Sequence, residues 1–351
     1  MSGYLGRMAE QGFEEVTLVH DAETGLKAAI AIHSTARGPA LGGTRMWPYL
    51  NEEAAVDDVM CLARGMSYKS AAAELPLGGG KGVIIGDPCR DKSEALFRAY
   101  GRFVERMNGR FITAADMGTE EYDLDCVRME TEHVIGGSAL GSPSPFTAFG
   151  TWKGIKACAE EVFGSSSLEG LTIAVQGIGS VGHALCVHLA SEGARIIAAD
   201  LDEEKTKKAE ELWNARVVSP EEIVKQKCDI FSPCGGGGVI NSESVDLLNC
   251  RIVAGAANNV LKEDKYGSAL KERGILYAPD YIINAGGIIF VEYSRQGNKN
   301  RAEIKEIISR IEVRLKEIFR RSRDQNLLPQ KVADLFAEEK LREKLNYSQS
   351  G

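Results

Sequence analysis

The sequence predicts an α/β chain of two domains, the second a doubly wound parallel sheet, and three observations carry that prediction. Short β-rich runs alternate with stretches of helical periodicity along almost the whole chain. A Pro- and Ser-rich break, SPSPFTAFG at 142–150, reads as a crossing between domains. A glycine pattern, Gly177, Gly179 and Gly182, stands between a β-rich run and a helical one. At 351 residues the chain is long for one core and suits two. The expected domains are 1–140 and 141–325, with the tail from about 326–351 returning to the first.

In the first domain, residues 15–34 read as a hairpin turning at Asp21 to Gly25. A helix follows, with Asn51 as its cap, Glu52 and Glu53 at its positive end, and Ala55, Val56, Val59, Met60, Ala63 and Met66 on one face. Lys69 falls near its far end. KGVIIGD reads as a short buried strand, 93–107 as an amphipathic helix, and RFITAAD as a strand ending at Asp116. Beyond the break come a helix near Trp152 to Phe163, the strand LTIAVQG, a helix, the strand ARIIAAD, a charged helix from Glu203, and the strands CDIFSPC, RIVAGAA and GILYAPD. A long amphipathic helix over 302–319 precedes a helical tail.

The net charge of −8 argues against nucleic acid and anionic membrane as partners. No apolar run of transmembrane length is present, and a cytoplasmic protein is expected. Eight scattered cysteines without a CxxC pair suit reduced thiols, and five histidines without HExxH imply no metal.

Two stretches carry chemistry. In QGIGSVG, Gly177 allows the tight turn, Gly179 lets a pyrophosphate approach the backbone, and Gly182 lets helix pack on strand; Ile178, Ser180 and Val181 complete the turn. The helix N-terminus then faces the phosphates. Asp200, eighteen residues after Gly182, can accept both ribose hydroxyls and would repel a 2′-phosphate. This predicts a Rossmann-type domain with NAD, not NADP, as cofactor; Cys234 and Gly235 to Gly238 follow a later strand and are candidates for its adenosine side.

In the other stretch, Lys69 and Lys81 lie twelve residues apart and Lys81 emerges from Gly78 to Gly80, read here as a loop. It is no P-loop, because Gly82 and Val83 follow the lysine where a hydroxyl would hold magnesium. A lysine held by bare backbone near another cation is expected to have a depressed pKa and to serve as a base.

Together with FITAADMGT, SPSPFTAFG, GIGSVG and NAGGIIFVEY in this order, the lysine segment makes the chain resemble the amino acid dehydrogenases acting on glutamate, leucine, valine and phenylalanine. The resemblance implies that Lys69 binds the substrate α-carboxylate, Lys81 is the general base and Asp116 the catalytic aspartate. It implies that Asn259 lies near the substrate amine, with Asn258 an equally good alignment that would otherwise face the cofactor. Thr147 would contact the nicotinamide carboxamide, Gly43 would neighbour the substrate, and the subunits would form a homo-oligomer, for which the hairpin edge is available. Where glutamate-specific members carry a lysine, GPALGGTRMW has Leu41, so an apolar side chain is expected, walled also by Ala114, Ala115, Ile288 and Val291. The resemblance is read as nearest to the bacterial phenylalanine dehydrogenases, implying that L-phenylalanine is exchanged for phenylpyruvate and ammonia, with leucine and valine as alternatives. A catalytically silent NAD-binding sensor would be expected to lack Lys69, Lys81 and Asp116, and a 2-hydroxy acid dehydrogenase needs a histidine base, for which only His133 stands near the crossing.

Overall fold

The computed structural model describes residues 3–137 and 141–343, and the chain divides into two compact units, Met1–Gly141 with Phe336–Gly351, and Ser142–Leu335. The expected boundary at 140/141 touches residues 138–140, and the end of the returning tail is 344–351; both lie outside the described residues. The segment grouped with the first unit begins at Phe336, ten residues beyond the expected 326.

The first unit opens with α1 (Tyr4–Gln11), then β1 (Glu15–Asp21) and β2 (Leu26–Ser34), which pair antiparallel as the expected hairpin. β3 (Ala40–Trp47) follows, a strand not anticipated because its glycine pair hides the alternation. α2 (Glu52–Ala72) starts where Asn51 Oδ1 accepts the Ala54 N–H at 2.8 Å, and buries Ala55, Val56, Val59, Met60 and Ala63. β4 (Gly78–Ile85), α3 (Glu94–Arg106), β5 (Phe111–Ala115) and α4 (Glu121–Arg128) complete the run. The sheet order is β1-β2-β4-β3-β5, with β3 parallel to both β4 and β5.

Gly78 to Gly80 are therefore strand residues, not a loop. Space explains them: a Cβ at Gly79 would strike Ser67 of α2, and one on Gly42 would strike the Gly80 carbonyl. Strand parity then fixes the faces. Val83 packs in a cluster with α2, whereas Ile84 joins the opposite cluster with Phe97, Tyr100 and Phe111. Lys81, two residues before Val83, faces α2.

The second unit begins with α5 (Ser144–Phe163), so most of SPSPFTAFG is the first turns of a helix. Pro145 at its start needs no N–H donor there, which is why a break signal also begins a helix. Next come β6 (Thr172–Gln176), α6 (Ser180–Ser191), β7 (Arg195–Ala199), α7 (Glu203–Trp213), β8 (Arg216–Val217) and β9 (Ile230–Pro233). β10 (Ile252–Val253), α8 (Lys265–Glu272), β11 (Leu276–Tyr277), α9 (Asp280–Ile283), α10 (Gly286–Arg295) and α11 (Arg301–Gln325) follow, and α12 (Pro329–Arg342) is grouped with the first unit from Phe336 onward. All six strands are parallel in the order β11-β10-β9-β6-β7-β8, the dinucleotide-fold order with its switch point between β6 and β9. Ile308, Ile311 and Leu315 of α11 are buried; Gly150 and Gly154 of α5 leave room for Ile311 and Leu315. Among the described residues, no helix is long and apolar enough to cross a membrane.

Candidate active site

In the second unit the glycine pattern is built as its spacing implies. Gly177 ends β6 at φ +94°, a conformation costly for other residues. Gly179 is the N-cap of α6, and a Cβ there would meet nothing within 4 Å, leaving backbone open to a ligand. Gly182 is the opposite case, because its Cβ would collide with the Gly177 carbonyl. Gly182→Ala should therefore push α6 off the turn at a strain of roughly 1–3 kcal/mol, and NAD affinity measured by calorimetric titration should fall about tenfold or more. Unchanged affinity would remove the packing argument.

Asp200 sits just past β7, where its Oδ2 accepts the Ile178 N–H at 2.6 Å and its Oδ1 the Asp202 N–H at 3.0 Å. Each oxygen keeps lone-pair capacity for a ribose hydroxyl. Positive φ at Gly177, open backbone at Gly179 and a carboxylate at the end of β7 fit a dinucleotide without 2′-phosphate. Cys234 supports this turn from β9, its N–H donating to the Gln176 carbonyl at 2.7 Å and its Cβ 3.4 Å from where a Gly182 Cβ would stand. Burial raises its thiol pKa.

Asn258 and Asn259 follow β10, and the structure distinguishes them. Asn258 Oδ1 accepts from the buried Asn284 amide at 2.7 Å, whereas Asn259 adopts φ +51° and its carbonyl accepts the Gly238 N–H at 2.7 Å. Asn284 begins the NAGG stretch, whose glycines let α10 approach α5. A Cβ on Gly286 would strike the Phe146 carbonyl, and one on Gly287 would lie 2.5 Å from the Thr147 hydroxyl. Phe146 and Phe290 stack at 4.0 Å across this contact. Ile288 is buried and Val291 half-buried on the same face of α10.

In the first unit, Lys81 is 4 % exposed and its Nζ lies 3.1 Å from Asp116 Oδ1. Burial pushes its pKa down from 10.5; Asp116 opposes that shift and Arg45 adds to it. Burial alone would raise the Asp116 pKa, yet Lys81 and Arg45 outweigh it and hold the carboxyl below its ordinary value. Gly43 makes room for this pair, since a Cβ there would lie 2.9 Å from the Asp116 Cβ. Lys69 is half-buried on α2.

Leu41 is buried on β3, paired with Gly79 and Ile112. By parity Leu41, Gly43, Arg45, Ala114, Asp116 and Lys81 share the α2 face. Ala115 does not. It pairs with Thr44 and falls on the face of Thr113, whose hydroxyl lies 2.6 Å from that of Thr44, so its expected place in the apolar wall is corrected to Ala114 alone. Arg45 is the residue that sequence reasoning missed: its Nε donates to Asp116 Oδ2 at 2.9 Å and its Nη1 to Asp58 Oδ2 at 3.0 Å. The signal available was its parity with Leu41 and Gly43.

Residues 13–133 match the family described as Glu/Leu/Phe/Val dehydrogenase, dimerisation domain, and residues 199–327 match Glutamate/Leucine/Phenylalanine/Valine dehydrogenase. Leucine dehydrogenase of Geobacillus stearothermophilus is 49% identical over 95% of this chain and 92% of its own length. Valine dehydrogenase of Streptomyces albus is 43% identical over 95% and 93%. The solved L-tryptophan dehydrogenase of Nostoc punctiforme superimposes with a TM-score of 0.85 at 40% identity, covering 96% of this chain and 98% of that one. A nucleotide fold with an NAD-compatible turn, a buried lysine–aspartate pair and these likenesses agree: the chain belongs to the glutamate/leucine/phenylalanine/valine dehydrogenase family and is an amino acid dehydrogenase that uses NAD.

Proposed function

We propose that the protein catalyses the reversible oxidative deamination of a branched-chain aliphatic L-amino acid, L-leucine first, to its 2-oxo acid and ammonia with reduction of NAD. The observation that carries this reading is the pair of buried Lys81 and half-buried Asp116 on the strand face that also bears Leu41. The preference for leucine over the phenylalanine expected from the sequence is supported by the 49% likeness to a leucine dehydrogenase, against 43% for a valine dehydrogenase. None of the three relatives above is named for phenylalanine. A bulkier aromatic substrate is the second reading, favoured by the likeness to the tryptophan enzyme.

The Gly177–Gly182 turn would hold the pyrophosphate of NAD and Asp200 would accept from its ribose hydroxyls, and the cofactor would supply the hydride acceptor. Lys69 fixes the substrate α-carboxylate by charge. Lys81, whose burial favours the neutral amine, takes a proton from the water that attacks the iminium carbon. Asp116 exchanges a proton with the substrate nitrogen. Asn259 is assigned to the amine, Asn258 and Thr147 to the cofactor side, and Leu41, Ala114, Ile288 and Val291 to the apolar wall. A homo-oligomer is proposed too, supported by the match to a dimerisation domain over the region that holds the open β1 edge.

The test is NAD reduction with L-leucine, L-valine, L-phenylalanine and L-tryptophan across pH. A general base must be unprotonated, so kcat/KM for deamination should rise with pH through the Lys81 pKa and level off before 10.5. Asp116 favours the charged lysine, so in Asp116→Asn that limb should move to lower pH. Oxidation of 2-hydroxy acids instead, or no turnover with any amino acid, would overturn the reading.

A further inference from the structure

We propose that Arg45 is a positioning residue for the proton-handling pair: anchored by Asp58, it holds one Asp116 oxygen so that only the other meets the Lys81 amine. This rests on the reading of Lys81 and Asp116 given above, and it adds a residue that this reading leaves without a role.

The geometry is a row of alternating charges across three elements. Lys81 Nζ on β4 meets Asp116 Oδ1 at 3.1 Å, and Asp116 Oδ2 accepts from Arg45 Nε on β3 at 2.9 Å. Arg45 Nη1 reaches Asp58 Oδ2 on α2 at 3.0 Å, and the same oxygen accepts the Tyr49 hydroxyl at 2.5 Å. Side-chain exposures of 19% for Arg45, 26% for Asp116 and 27% for Asp58 make this row better shielded than an open surface pair. The backbone of Asp116 is pinned separately, its N–H donating to the Thr119 hydroxyl at 2.9 Å, which itself donates to the Thr44 carbonyl at 2.8 Å. The direction of the carboxylate is what Arg45 sets.

A planar guanidinium can hold two carboxylates at once through different nitrogens, whereas an ammonium is a point charge. Without Arg45, Asp116 is free to turn both oxygens toward Lys81. That pairing would stabilise the ammonium and make Lys81 a poorer base. The charged and titratable groups that act on the pair are Arg45 from β3, Asp58 from α2, and Tyr49 beyond β3. Arg45 is the one cation among these three.

The experiment compares full-length Arg45→Gln and Arg45→Lys with the unsubstituted enzyme, measuring kcat, KM, NAD affinity, thermal midpoint and pH profile. In Arg45→Gln, kcat should fall on the order of 10²-fold, as misplacement by about 1 Å does, with NAD affinity unchanged. The ascending limb of kcat/KM should move to higher pH, and added guanidinium ion should restore part of kcat. Arg45→Lys should fall between. An unmoved pH limb, or a loss of kcat that follows the thermal midpoint without guanidinium rescue, would overturn the proposal; if Arg45→Gln does not fold, the limb in Arg45→Lys decides. If the unsubstituted protein binds NAD but oxidises no amino acid, the functional reading fails by itself. The Lys81 titration, followed by NMR in labelled protein with and without Arg45→Lys, then tests the Arg45 contact separately.

Discussion

Lys81→Ala is expected to abolish amino acid turnover while leaving NAD affinity intact. General acid–base terms contribute about 10² to 10⁴ in rate, and Lys81 is the buried amine of the pair, so a loss at the upper end is expected. The fold should tolerate the change. Removing one partner of a buried ion pair is most damaging when it strands the other charge, but Asp116 keeps Arg45 at 2.9 Å. Cofactor binding should also survive, because the Gly177–Gly182 turn and Asp200 belong to the other compact unit. Steady-state kinetics paired with calorimetric NAD titration measures both. Near-normal turnover would sink the assignment of Lys81 as base, whereas loss of both turnover and NAD affinity would point to a damaged structure instead.

Reductive amination of 2-oxoglutarate should be slower than that of 2-oxoisocaproate by at least about 10² in kcat/KM. The reason is Leu41. A substrate side-chain carboxylate placed beside it would lose water without gaining a partner, at several kcal/mol, and each 1.4 kcal/mol is a tenfold factor. Competition between the two 2-oxo acids under limiting ammonium reads this ratio directly. Comparable values would show that a cation elsewhere serves the side chain and would remove Leu41 from the specificity argument. The substrate series is preferable to Leu41→Lys, because at 2 % exposure a new ammonium would be buried and the variant would report on folding.

Elements with strong local signals were legible. The 15–34 hairpin, α2 with its Asn51 cap, and the β6–α6 turn each follow from residues within one short segment. Where two local rules compete, the sequence misleads. Gly78 to Gly80 have turn composition, yet they form a strand because Ser67 and Gly42 press against them, and those contacts involve residues far along the chain. Pro143 and Pro145 mark a break and equally mark a helix start. β3 was lost because Gly42 and Gly43 carry no side chain to show alternation. Ala115 was placed in the wall by its neighbourhood in sequence, but a single step along a strand reverses the face.

By itself, then, the sequence determined the order of elements, the dinucleotide turn and the residue types able to move protons, since each depends on periodicity or on spacing within one turn. It also carried the family resemblance. Only the tertiary structure decided which charges meet. Arg45 and Asp116 are 71 residues apart, Lys81 and Asp58 come from different elements, and their contacts depend on strand register and parity. The pKa of a buried amine is set by such neighbours and by lost hydration, neither of which has a period in the sequence.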